Sequence, residues 1–202
     1  MDLQRALRQL SELKRLGGNM RLAAEAWGEE WKCLIATIMS AQSRDETTIP
    51  IAERLFEKYP TLLDLSKAKY EDVLFIFSGL NLNKGKSKNV IACAMEIVEH
   101  YGGNVPHDLD KLIELSGVGR KTANVFLSEV GKEGLAVDTH VYFISRYLGW
   151  SKEKNPHNVE HDLKKLFPSK HWSEVNPILV RFGKKYTSFK IKNELLEKIS
   201  KI

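Results

Sequence analysis

Apolar residues along this chain recur every three or four positions and almost nowhere every two. Leu3, Leu7, Leu10 and Leu13 mark one face of a helix predicted over 2–15, which Gly17 and Gly18 end. Residues 29–41 (EEWKCLIATIMSA) are apolar nearly all round, the pattern of a buried helix. Asp45 is read as the N-cap of a helix reaching Glu57, with Ile51, Leu55 and Phe56 inward and an irregular start at Pro50. Short helical segments are expected at 61–67 and 70–77. A longer one over 86–101 carries Val90, Ile91, Ala94 and Ile97 on one stripe and stops at Gly102–Gly103. Further helices are predicted at 108–115, 120–131, 138–149, 155–167, 172–185 and 192–200. With no convincing strand pattern, the fold class is all-α with short connections.

Composition narrows the partners. A net charge of +5 is compatible with nucleic acid without requiring it. No apolar run approaches the ~18 residues of a membrane span, and MDLQRALRQL lacks the apolar block of a signal peptide. A cytosolic or nucleoid protein without a membrane partner is expected, and it is read as a monomer. The two cysteines, Cys33 and Cys93, are read as reduced core thiols; two cannot build a disulfide framework or a four-cysteine metal site. His157 and His161 are spaced i, i+4 beside Asp162, but no HExxH glutamate accompanies them. They read as a solvated face, and no metal is expected.

Residues 115–127, LSGVGRKTANVFL, hold the candidate chemistry. Lys121-Thr122 could end a phosphate-binding P-loop, but Arg120 stands where its second glycine belongs and Leu115 where its first does. A dinucleotide fingerprint fails because Thr122 replaces its third glycine. Both motifs also need a preceding strand, whereas LDKLIE reads as helix. What remains is helix, two-glycine turn, helix. Gly117 and Gly119 free the backbone, and N–H groups at the following helix start can grip a nucleic-acid phosphate. A plain helix–helix corner fits these residues equally well. Further on, LAVDTHVYFISRYLGW (135–150) sets Asp138 before a helical run, where an N-cap is the bland reading.

Taken together, LSGVGRKTANVFL and VDTH resemble the helix-hairpin-helix DNA glycosylases, within them the endonuclease III-like branch. ATIMSAQSRDE (36–46), NKGKSKNVI (83–91) and GGNVPHDLDKLIELSGVG (102–119) match further family blocks in order and spacing. The resemblance implies two all-α lobes with a DNA-binding cleft between them. It places a six-helix lobe at 23–133, with the hairpin at 108–131, and a second lobe at 1–22 plus 134–202. It implies Lys121 as catalytic lysine and Asp138 as catalytic aspartate. Gln42 would fill the gap left by a flipped base, and Leu82 would wedge into the opposite strand. Gly117, the Val118 backbone, Gly119 and Arg120 would hold phosphate, with a monovalent cation on hairpin carbonyls the one ion admitted. His140 would contact the DNA or else support the DNA-facing helix. The implied activity is excision of damaged bases, oxidised pyrimidines first, from double-stranded DNA, followed by AP-lyase β-elimination. T or U opposite G and oxidised purines are alternative substrates. A non-catalytic DNA-gripping module is the alternative of another class, disfavoured because a pure binder needs neither Lys121 nor Asp138.

The chain also departs from the family. Relatives carry four C-terminal cysteines on a [4Fe–4S] cluster; here Tyr186-Thr187-Ser188 stands at the first, and no cysteine follows. No iron–sulfur cluster is expected. Residues 184–202, with six lysines against two glutamates, are expected to form a helix packing through Ile191, Leu195, Leu196 and Ile199, lysines toward DNA. Ser116 replaces a hairpin proline, and Phe143 an arginine for which Arg146 is the candidate substitute.

Overall fold

The computed structural model describes residues 1–202. It contains helices only: α1 Leu3–Gly17, α2 Glu30–Ser40, α3 Asp45–Lys58, α4 Leu62–Ser66, α5 Tyr70–Ile76, α6 Asn83–Tyr101, α7 Leu109–Glu114, α8 Arg120–Glu129, α9 Thr139–Tyr147, α10 Pro156–Leu166, α11 Trp172–Lys185 and α12 Phe189–Ser200. The chain divides into two compact units, Arg21–Val130 and Met1–Met20 with Gly131–Ile202.

In the unit 21–130, α2 is the hub. Leu34, Ile35, Ile38 and Met39 are all but inaccessible, and α2 packs against α3, α6 and α8. A helix this apolar is stable only when covered on every side. Phe77, Ile97, Leu112 and Phe126 extend the same core. Cys33 and Cys93 are free and buried within it. Asp45 proves to be the first residue of α3, not its cap; Arg44 holds the cap position without a side-chain bond. An acid in the first turn suits the positive end of the helix dipole. Pro50 lies inside α3, whose helical assignment runs unbroken through it. The helix expected from 86 starts at Asn83, because Leu82 takes a left-handed conformation (φ 56°, ψ 31°) at its N-cap.

The other unit joins the two ends of the chain. α1 packs along α11, and both contribute to a core of Leu10, Leu13, Ile144, Leu163, Leu179 and Phe182. Gly17 permits the approach: a Cβ there would lie 2.9 Å from the Phe182 backbone N. The C-terminal segment is helical from Phe189, three residues earlier than expected. Leu196 and Ile199 are buried, and Leu195 packs at the edge of the core. Ile191, expected inward, is 50% exposed. The packing stripe of α12 is therefore shorter than the sequence pattern, and its first turn meets the rest of the unit through the Phe189 ring against Phe143. Gln9, fully buried, donates to the Ile199 carbonyl at 3.2 Å and accepts from the Trp150 indole at 2.7 Å. Arg5 donates to the Ser200 carbonyl. These bonds join α1 to the carbonyl end of α12, where the Ile199 carbonyl also accepts the Ile202 N–H at 3.1 Å.

Leu196→Ala should cost about 2–5 kcal/mol in urea unfolding, while Ile191→Ala should stay within about 0.5 kcal/mol. Equal effects would refute this assignment of the inward face.

Candidate nucleic-acid interface

The hairpin is built on a tight turn. The Val118 N–H donates to the Leu115 carbonyl at 3.0 Å, and Gly117 between them has φ +80°. Only glycine takes that conformation without strain. Space also demands it, since a Cβ on Gly117 would lie 2.8 Å from the Asn89 Cβ. Ser116 replaces the rigidity of a proline with two hydrogen bonds. Its N–H and its hydroxyl both donate to the Glu96 carboxylate, at 2.7 and 2.6 Å. The Val118 side chain is buried and its N–H is spent in the turn, so the expected phosphate donor is not available there.

Gly119 differs from Gly117. Its φ is −89°, and a Cβ would meet nothing within 4 Å. Nothing in the chain requires glycine at this position. As the N-cap of α8 it offers no side chain to the first-turn N–H groups. Those groups, at the positive end of the helix dipole, suit an anion that approaches closely. Arg120 and Lys121 are the first two residues of α8, and both are exposed.

A second cluster lies on the same unit. Gln42 (φ 55°) and Leu82 (φ 56°) are both left-handed and both exposed, Leu82 at 63%. Asn81 Nδ2 donates to the Gln42 carbonyl at 2.7 Å. Lys86 Nζ donates to the Ser43 hydroxyl at 2.8 Å. Lys86 is 5% exposed, and burial alone pushes its ammonium from 10.5 to about 8. The sequence reading missed Lys86, which sits in the polar run NKGKSK. Its spacing to Val90, Cys93, Ala94 and Ile97, however, puts it on their inward stripe.

On the unit 1–20 and 131–202, Asp138 is the N-cap of α9. Its Oδ1 accepts the Val141 N–H at 2.8 Å. The cap uses one carboxylate oxygen and fixes the side chain at a helix start. His140 packs its imidazole on α11 at Gly183, where a Cβ would overlap the ring. It supports α9 from within the unit. Phe143 joins an aromatic cluster, 5.9 Å from Phe189 and 6.1 Å from Tyr147 between ring centroids. Arg146 does not stand in for the missing arginine in a free state; it donates to the Tyr142 hydroxyl at 3.1 Å and lies over that ring.

No group of three or more His, Cys, Asp or Glu side chains is placed to hold a metal ion. Burial pushes the thiols of Cys33 and Cys93 up to about 12, so neither is poised as a thiolate ligand. Ser188, where the family resemblance puts a cysteine, is the N-cap of α12. These residues do not fit a four-thiolate cluster.

Two outcomes follow. Gly117→Ala, with positive φ and a close Asn89, should destabilise by about 1–3 kcal/mol, whereas Gly119→Ala should cost at most about 1 kcal/mol as a poorer cap; thermal unfolding separates them. Lys86 is depressed in the fold, so between pH about 8 and 10.5 the unfolded chain binds more protons. Its contribution to stability therefore rises with pH across that window, and urea titrations of Lys86→Met should lack the rise.

Residues 35–169 match the model of the HhH-GPD superfamily base excision DNA repair proteins. Endonuclease III of Thermotoga maritima is 42% identical over 159 residues, 78% of this chain and 74% of that protein. The Bacillus subtilis endonuclease III is 36% identical over 76% of this chain and 71% of its own length. Among solved structures, a trapped endonuclease III–DNA covalent intermediate superposes with a TM-score of 0.83 at 31% identity, covering 93% of this chain and 89% of that one. A non-covalent endonuclease III–DNA complex gives 0.84 at 31% identity, over 94% and 89%. The chain belongs to the HhH-GPD superfamily of base excision DNA repair proteins, in its endonuclease III-like branch.

Proposed function

We propose that this protein is a bifunctional DNA glycosylase and AP lyase that removes oxidised pyrimidines from double-stranded DNA, at the nucleoid. One observation carries the reading. An exposed lysine, Lys121, follows by two residues a glycine that the fold itself does not require, at an uncapped helix start. A phosphate grip and a nucleophile thus share one short segment.

In this reading Gly119, Arg120 and the first-turn N–H groups of α8 hold a backbone phosphate. The damaged nucleotide leaves the stack at a cost of a few kcal/mol. Gln42 occupies the gap, and Leu82 wedges against the opposite strand. The neutral Lys121 amine attacks C1′ while the glycosidic C–N bond breaks, and the base departs after gaining a proton. Asp138 stabilises the positive charge that develops on the sugar. O4′ takes a proton as the ring opens, leaving a Schiff base between Nζ and C1′. Loss of a C2′ proton then expels the 3′ phosphate by β-elimination, and water releases the lysine. The carboxylate also caps α9, so Asp138→Asn keeps the cap and removes only the charge.

Incubation with duplex DNA bearing thymine glycol or an abasic site, followed by borohydride, should leave a covalent complex. Lys121→Gln should abolish it. Asp138→Asn should slow base excision by about 10²–10³-fold without lowering the unfolding temperature. Tight, salt-sensitive DNA binding with no trapping on any lesion would sink the enzyme reading and favour a binding module.

A further inference from the structure

We infer that Lys86 is a positioning residue that holds Gln42 and Leu82 as one preformed wedge. The inference rests on the reading above, in which those two side chains enter the duplex, and it adds the device that aims them.

Lys86 joins the start of α6 to the other loop. Its backbone N–H makes the regular first-turn bond to the carbonyl of the N-cap Leu82 at 3.1 Å, and its Nζ donates to Ser43, the neighbour of Gln42, at 2.8 Å. Asn81, the neighbour of Leu82, reaches back to the Gln42 carbonyl at 2.7 Å. Each loop is therefore tied to the other beside its exposed residue. The ties have work to do, because Gln42 and Leu82 are both left-handed without being glycine. Such conformations cost about 1–2 kcal/mol each and persist only where the surroundings over-determine them. A buried lysine is itself an expensive choice for a mere surface contact: it is desolvated, and one hydroxyl is its hydrogen-bonding partner. Its flexible stem lets it span from α6 to the 41–44 loop, which a shorter side chain could not do. Two exposed side chains fixed before DNA arrives spare the ordering cost of forming the wedge on binding.

The test uses the full chain and an abasic site placed in a duplex and in a single strand of the same sequence, with 2-aminopurine beside the site to report unstacking. The duplex-to-single-strand ratio of borohydride-trapped product should fall about tenfold in Lys86→Met, and in the same direction in Ser43→Ala. KM on the duplex should rise and the 2-aminopurine change should shrink. An unchanged ratio in both variants, with trapping by the unaltered protein intact, overturns the inference. Equal losses on both DNAs with a lower unfolding temperature make Lys86 only structural and overturn it as well. If the unaltered protein traps on neither DNA, the failure lies in the lyase reading itself.

Discussion

The unit 21–130 depends on one stripe of α6. Lys86, Asn89, Cys93 and Glu96 are spaced so that they fall on one side of the helix. Cys93 is buried in the core, and the other three each hold a loop: Lys86 takes Ser43, Asn89 abuts Gly117, and Glu96 takes Ser116. Residues 86 and 96 lie about 15 Å apart along the axis, at about 1.5 Å per residue. The apolar positions beside them, Val90, Ala94 and Ile97, anchor the helix in the core shared with α2. One helix anchored in the core thus holds two loops that carry exposed side chains, the usual division between scaffold and function. Of the polar groups on the stripe Lys86 is buried, and its ammonium is costly to leave unpaired, so Ser43 is required as much as permitted.

Two glycines two residues apart in this hairpin have different causes. Gly117 answers to its own conformation and to Asn89. Gly119 answers to neither: its φ is −89° and a Cβ there would meet nothing within 4 Å. The two acids differ as well. Glu96 gives its carboxylate to the N–H and the hydroxyl of Ser116, while Asp138 caps α9 through Oδ1.

Much of this was legible in the sequence because helices announce themselves by period and punctuation. Asn155 before Pro156, Asp108 before Leu109 and the glycines after α1 and α6 place those ends to within a few residues. The hairpin and Asp138 were legible as motifs. What escaped was decided by tertiary contact. Leu82 gave no sign of a left-handed cap, since leucine rarely adopts one. Asp45 looked like a cap because its composition fits either the cap or the first turn. Ile191 sits on the apolar period of α12 yet lies outside the core, 50% exposed. Val118 reads as a donor until its N–H is seen closing the turn. Lys86 was legible by position and hidden by type: its place on the apolar stripe pointed inward, while its charge pointed outward.

The C-terminal segment shows how one role can be filled by different physics. A cluster ties a loop by covalent metal–thiolate bonds; α12 is tied instead by burial and by its carbonyls. Leu196 and Ile199 supply the apolar contact, while Gln9 and Arg5 of α1 take the last carbonyls. The Tyr147 hydroxyl donates to the Asn193 carbonyl at 3.3 Å, and Phe143 meets Phe189 across the same face. Phe143 thus gives the first turn of α12 an aromatic neighbour on α9. Gln9 also binds Trp150, so the first helix, the loop after α9 and the last helix close on a single buried amide. Losing that amide would leave the buried Trp150 indole N–H without its acceptor, while the Ile199 carbonyl would keep the Ile202 N–H, so the cost falls on the joint between α1 and the loop after α9.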